Sequence, residues 1–415
     1  MFLFLVQALI ILIVPLIVWW PLRKLIPLAV VQILAGIALG PTLFGTLAPE
    51  LKAILFPSSS FAGLQVLSSL AVVCFCFTAG LHVDVEKVRN KGKGIVVVAT
   101  STFAFPMLVG LMLSDWAYDT LPSLRGDSAN ALSFKVALAV CFAVTALPVL
   151  SSILQEMGML GSRIGTEALS IAAANDALIW PTVGIALILA RGDSLWSVAM
   201  ILLSFNIYLM LLLFVFQPIL MKWVNSSSSG NTLDIRQKTI LIGGLLASAA
   251  CTEFMGLHAA IGAFLYGAIM PREVKQAMAA MVGPLTSVIL LPFFLATTGL
   301  KVDVSAPEIG FLVASILIGG LTKFLSTAIP ARLCGWSWSD SMQLGAFMQC
   351  KGIMEVLVLA VLLEAGTISI ICFSTMTLMA IATTSLTMPL ARLSQSPRKS
   401  VTKNLAINNI RGLDG

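Results

Sequence analysis

The sequence predicts an all-α polytopic membrane protein, and three observations carry that prediction. Of 415 residues, 58% are hydrophobic and only 11% are charged, against roughly 25% charged in water-soluble chains. Mean hydropathy is +1.00. Apolar runs follow one another almost to the end of the chain, and a helix needs about 20 such residues to cross a bilayer. With no water in the hydrocarbon to pair with the backbone, runs of that length are read as helices.

Taken in order between polar, Gly and Pro breaks, the runs give thirteen spans, at roughly 2–20, 26–43, 60–82, 94–113, 135–155, 165–190, 194–217, 238–254, 257–270, 276–299, 309–331, 341–363 and 368–391. The first begins at Met1 without a basic leading region or a small-residue cleavage site, so it is expected to be retained as a helix. The eighth and ninth are short, and the Gly-rich stretch Gly256–Gly267 suits broken or tilted helices there.

With thirteen spans, loops after odd-numbered helices and the tail hold eighteen of the 25 Lys and Arg residues, including Arg23, Lys24, Lys87, Arg89, Lys91 and Lys93. The opposite side holds five: Lys52, Arg125, Lys135, Arg191 and Lys301. The positive-inside rule then puts the N-terminus outside and the C-terminus in the cytoplasm, and the cell (inner) membrane is the expected location. The net charge of +6 is therefore topology rather than a nucleic-acid footprint, and the bilayer is the expected partner.

Thr78-Ala-Gly-Leu-His-Val-Asp-Val85 is echoed by Thr297-Thr-Gly-Leu-Lys-Val-Asp-Val304, with six of eight positions identical. A weaker echo pairs Gly36-Ile-Ala-Leu-Gly-Pro41 with Gly267-Ala-Ile-Met-Pro271. Both pairs lie seven helices apart, an odd number, so the copies are expected to be inverted across the membrane, as in secondary transporters. The expected organisation is a transmembrane unit over 1–393, with a first repeat at 1–193, a linker helix and connector at 194–237 and a second repeat at 238–393. A short cytoplasmic tail covers 394–415. Asn225–Asn231, rich in serine, reads as a flexible cytoplasmic connector, and no soluble domain is expected to follow.

Ionisable groups inside spans cost several kcal/mol unless paired or hydrated, so each is a functional candidate. Asp176 lies in the middle of span six, Lys323 in span eleven, Lys351 and Glu355 in span twelve, with Glu167 and Glu253 nearer helix ends. Asp176 is the first choice. It follows Asn175 in Ala172-Ala-Ala-Asn-Asp-Ala177, where small neighbours allow another helix or a hydrated cavity to approach. A carboxylate there can hold either a proton or a small cation; the competing reading is a buried salt bridge to one of the lysines. Lys351 precedes Gly352, where a helix can be interrupted, and an ammonium beside freed carbonyls offsets their negative end. Glu355, one turn on, shares its face, which also allows a self-neutralising local ion pair. In the first half the matching interruption is Thr145-Ala-Leu-Pro148, because Pro148 removes an intrahelical bond and frees carbonyls that can bind a cation.

Glu167 is half a turn out of phase with Asp176 and close to its helix start, which suits interaction with the dipole. His82 and His258 fall at membrane edges and read as loop or interface residues. The seven cysteines read as packing residues, since even Cys74 and Cys76 point to different faces. No intramembrane His, metal-ligand cluster, paired-aspartate protease site or phosphate-binding glycine loop is present, so neither an enzyme nor a cofactor is expected.

Several stretches together resemble a known family. They are Gly36–Pro41, Phe77-Thr-Ala-Gly-Leu81, Ala146-Leu-Pro-Val149, Ala168–Asp176, Gly256-Leu-His-Ala-Ala-Ile-Gly-Ala-Phe264, Leu291-Pro-Phe-Phe294 with Thr298-Gly-Leu300, and Lys351-Gly-Ile-Met-Glu-Val-Leu-Val358. In this order they resemble the monovalent cation:proton antiporters, in the branch of plant cation/H+ exchangers, glutathione-gated potassium efflux systems and NapA-type antiporters. The resemblance implies a homodimer whose core of crossed, broken helices moves as an elevator against a dimerisation domain. It assigns spans four to six and eleven to thirteen to that core, with five and twelve crossing. Asp176 matches the ion-binding aspartate, and Asn175 stands where electrogenic members have a second aspartate. Lys323 matches a basic residue of the core. The chain departs from both common patterns here, since an Asn-Asp pair usually accompanies arginine and lysine usually accompanies two aspartates.

The expected function is therefore exchange of Na+ or K+ for H+, with cation and proton competing at Asp176. Asn175 and Thr145 are expected to share ion and proton binding with it, and Lys323, Lys351 and Glu355 to compensate charge in the core. A gated K+ efflux channel and an exchanger of an organic or anionic solute, which would use Lys323 and Lys351 as anion partners, are the alternatives.

Overall fold

The computed structural model describes residues 2–22, 28–40, 43–57, 60–82, 93–190, 195–227, 234–255, 257–302 and 307–394. Helices occupy all thirteen predicted stretches, and ten helical stretches among the described residues are long and apolar enough to cross a membrane. In chain order they are α1 (Phe2–Leu22), α2 (Leu28–Leu39), α3 (Phe61–His82) and α4 (Lys93–Thr120). A broken pair follows, α5 (Ala131–Ala143) and α6 (Leu147–Glu156), then α7 (Arg163–Ala190). Next come α8 (Leu195–Met210), continued by a π turn into Gln217–Ser227, α9 (Ile235–Phe254) and α10 (Ala259–Ile269). The last are α11 (Arg272–Lys301), α12 (Ile309–Leu333), a second broken pair α13 (Trp338–Phe347) and α14 (Gly352–Glu364), and α15 (Ile370–Leu393).

Some boundaries move. The helical stretch begun by α8, predicted as span seven, runs on to Ser227, past the expected end at 217, and α11, predicted as span ten, starts at Arg272 rather than 276. Lys135, counted as a loop charge, lies inside α5 and pairs with Asp115 of α4. At 1.5 Å per residue, the 11 residues of α10 reach only about 16 Å, half a hydrocarbon core of about 30 Å. Several basic residues of the charge count, among them Arg23, Lys24, Lys87, Arg89, Lys91 and Arg191, lie outside the described residues, as do Gly256, most of the connector and the tail.

Two helix breaks meet at the centre. A proline lacks the N–H, and in an unbroken helix its ring would collide with the carbonyl four residues back; accordingly α5 ends at Ala143 and α6 starts afresh with Pro148 in its first turn. In the second break Gly352 takes φ +48, and a Cβ there would lie 2.8 Å from Val149 Cγ2 of α6. Glycine answers both demands at once. The breaks are joined directly, since the Ala146 amide donates to the Cys350 carbonyl at 2.6 Å.

Around this crossing α4, α5 and α7 pack together, α12 packs on α4 and α13, and α15 closes on α13 and α14. A second group is built from α1, α2, α3, α9, α10 and α11. Its helices approach to backbone contact at the echoed glycines. A Cβ on Gly36 of α2 would lie 2.4 Å from the Ala296 carbonyl of α11, and one on Gly80 of α3 would lie 2.1 Å from the Phe264 carbonyl of α10. Gly299 and Gly267 face these helices from the other side. The echo matches α2 with α10 and α3 with α11, so it exchanges the α2–α11 contact with the α3–α10 contact.

Candidate functional site

Asp176 sits in the middle of α7, 1% exposed, beside the fully buried Asn175. Both Asp176 carboxylate oxygens and Asn175 Oδ1 have no hydrogen-bond partner among the described residues. Asn175 reaches the first break: its Nδ2 donates to Thr145 Oγ1 over a long 3.5 Å, and Thr145 Oγ1 donates to the Met348 carbonyl of the second break at 3.4 Å. Helix α7 packs against α3, α5, α6 and α13, which puts the Asp176 carboxylate beside the crossing and next to the second group of helices.

The two intramembrane lysines are committed elsewhere. Lys323 Nζ, fully buried, donates to the Ala143 carbonyl at 2.5 Å and the Thr102 carbonyl at 3.0 Å. Lys351 Nζ, also fully buried, donates to the carbonyls of Cys141 at 2.5 Å and Phe142 at 3.2 Å. An α-helix leaves its last carbonyls unpaired and carries partial negative charge there. Both ammonium groups thus cap one half-helix, α5. Two readings are corrected by this geometry. The carbonyls of Cys141, Phe142 and Ala143 accept from lysine donors and are not free cation ligands, and no ion pair joins Asp176 to Lys323 or Lys351.

Glu355 is fully buried one turn into α14 and stands 3.1 Å from Lys351 Nζ through Oε2. The pair is close enough for an ion pair but lacks hydrogen-bond alignment, and both Glu355 oxygens are otherwise unpartnered. The start of α14 is held by a residue the sequence did not single out. Thr384 Oγ1 of α15 accepts from the amides of Gly352 at 2.9 Å and Lys351 at 3.2 Å. Its signal was the Thr383-Thr384-Ser385 cluster in a span that also carries Ser374, Thr375, Thr377 and Thr387.

The remaining candidates hold structure. Glu167 accepts from Trp336 Nε1 at 2.6 Å and from Arg163 at 3.0 Å. Glu253 accepts from the Ala259 amide and His258 Nδ1 from the Ala260 amide, so both cap α10. A cavity of about 630 Å³, lined by Asp127, Asn130, Leu187, Glu253, His258 and Glu364, lies farther along α7 and does not include Asp176. At its margin Gln65, His258 and Lys301 gather around Glu364 at 3.3, 3.7 and 3.9 Å. Among the described residues no group of three or more His, Cys, Asp or Glu side chains is arranged to hold a metal ion. The seven cysteines are free thiols.

A crossed pair of broken helices with an unpartnered buried carboxylate beside it invites comparison with known transporters. The family model described as "Sodium/hydrogen exchanger, transmembrane" matches residues 8–393. The chain belongs to this sodium/hydrogen exchanger family. Among its relatives are Cation/H(+) antiporter 17 of Arabidopsis thaliana, 32% identical over 92% of this chain and 47% of that protein, and K(+)/H(+) antiporter 1 of Saccharomyces cerevisiae, 31% identical over 97% and 48%. The chain thus spans about half the length of these two exchanger-family relatives. Na(+)/H(+) antiporter NhaS4 of Synechocystis is 27% identical over 88% of this chain and 90% of its own length. Among solved structures, the sodium proton antiporter MjNhaP1 from Methanocaldococcus jannaschii shares the fold, with a TM-score of 0.63 at 14% identity, covering 93% of this chain and 96% of that one.

Proposed function

We propose that the chain exchanges a monovalent cation, Na+ or K+, for H+, and that the two compete for the Asp176 carboxylate. One observation carries the reading. Asp176 is buried with both oxygens unpartnered, while the neighbouring lysines are spent on the carbonyls of α5. A buried carboxylate without a fixed partner must find a proton or a cation, because an isolated charge in a low-dielectric interior is costly. Family membership and the names of the relatives point the same way. An anion partner would need a free ammonium group, and those of Lys323 and Lys351 are engaged.

The same reading includes alternating access by an elevator-type movement of α4–α7 and α12–α15 against α1–α3 and α9–α11, with the two halves related as inverted repeats and the protein acting as a homodimer. Its support is the packing of the helices into these two groups and the exchange of glycine contacts under the sequence echo. The test is proton flux in proteoliposomes driven by Na+ or K+ gradients. Asp176→Asn is expected to abolish cation-driven flux while the protein stays folded in detergent. Flux retained at the wild-type rate in that variant sinks the assignment.

A further inference from the structure

Trp180 stands one helical turn after Asp176 on α7, at the i,i+4 spacing that brings two side chains onto one face. Long side chains on a helix lean back over the preceding turn, here the turn that carries Asp176. The ring is fully buried and lies 6.1 Å from the Phe264 ring of α10. Its Nε1–H can only donate, and it has no hydrogen-bond partner among the described residues. Together with the Asp176 oxygens and Asn175 Oδ1, four buried polar atoms on residues 175, 176 and 180 lack partners. Buried polar atoms are nearly always paired, with protein or with ordered water.

A cation explains the three acceptors. It does not explain the donor, because a cation accepts no hydrogen bond. A single water does, since its oxygen accepts from the indole while its two hydrogens reach Asp176 and Asn175, giving it the two to four polar partners that a buried water needs. The second lone pair then faces the cation. We propose that Trp180 is a positioning residue that holds a water beside Asp176, and that this water is a ligand of the transported cation. The inference rests on Asp176 being the cation site.

The test compares wild type, Trp180→Phe, which keeps an aromatic ring but loses the donor, and Trp180→His, which keeps a ring N–H, at pH 8. Asp176→Asn runs in parallel. The readouts are Na+- and K+-dependent thermal stabilisation in detergent and the half-saturating cation concentration and maximal rate in proteoliposomes. Loss of one hydrogen bond on the water is expected to raise half-saturation about tenfold, with the maximal rate little changed and Trp180→His close to wild type. Unchanged half-saturation in Trp180→Phe, or a fall in maximal rate alone, overturns the proposal while leaving Asp176 in place. Absence of any cation effect in the wild type overturns the site and the water together. If Trp180→Phe does not fold, Trp180→Leu against Trp180→His makes the same comparison.

Discussion

Lys351 is the residue on which most of the buried polar geometry depends. Its ammonium meets two carbonyls at the end of α5 and the carboxylate of Glu355. Truncating one partner of a buried pair costs about 3–5 kcal/mol, because the other charge stays behind uncompensated. Lys351→Ala is therefore expected to lower the melting temperature in detergent sharply, and adding Glu355→Ala should recover part of that loss. No recovery in the double variant would mean that the carbonyl contacts alone carry the effect. Thr384→Val removes an acceptor from two amides at the start of α14 and should cost about 1–2 kcal/mol, the range for a lost N-cap. A charge in an apolar run is legible in sequence, which is why Asp176, Lys323, Lys351 and Glu355 stood out. Their partners were not, because Cys141, Phe142 and Ala143 act through backbone carbonyls that every residue owns.

Between elements, the decisive contacts are those where no side chain intervenes. Gly80 of α3 faces the Phe264 carbonyl, so a methyl group there would have to move two helices apart. Gly80→Ala should destabilise by about 1–3 kcal/mol, as overpacking does. Gly63 lies on the same helix with nothing within 4 Å of an added Cβ, and Gly63→Ala should be neutral or stabilising by up to about 1 kcal/mol through helix propensity. Equal melting shifts for the two variants would remove the seam as the cause. The two helix interruptions were legible because Pro148 and Gly352 have backbone consequences of their own. The crossover was not: besides Glu355 in its own broken helix, Lys351 neutralises the end of α5, and that second pairing spans 210 residues of sequence. The short α10 was foreshadowed by its glycines, whereas the stretch begun by α8 continues to Ser227, beyond the apolar run whose end hydropathy marks.

For the whole molecule, the quantity to decide is how much charge crosses the membrane in one exchange cycle. Asn175 is neutral and Glu355 has Lys351 at 3.1 Å, so among the described residues Asp176 is the carboxylate beside the crossing with neither a hydrogen bond nor an ion pair. If it alone alternates between proton and cation, one charge moves each way and exchange is electroneutral. Lys323 is the group that could change this count by releasing a proton whenever a cation binds. Its Nζ, however, donates to the carbonyls of Ala143 and Thr102 at the negative end of α5, a place that suits a cation throughout the cycle. Moving one net charge is worth about 2.3 kcal/mol per 100 mV, enough to change an electrogenic rate several-fold. Na+-driven proton flux is therefore expected to stay constant when potassium-valinomycin clamps the liposome at different potentials, and Lys323→Gln should be equally indifferent. A wild-type rate that follows the potential, together with a Lys323→Gln rate that does not, would make Lys323 the carrier of a second proton.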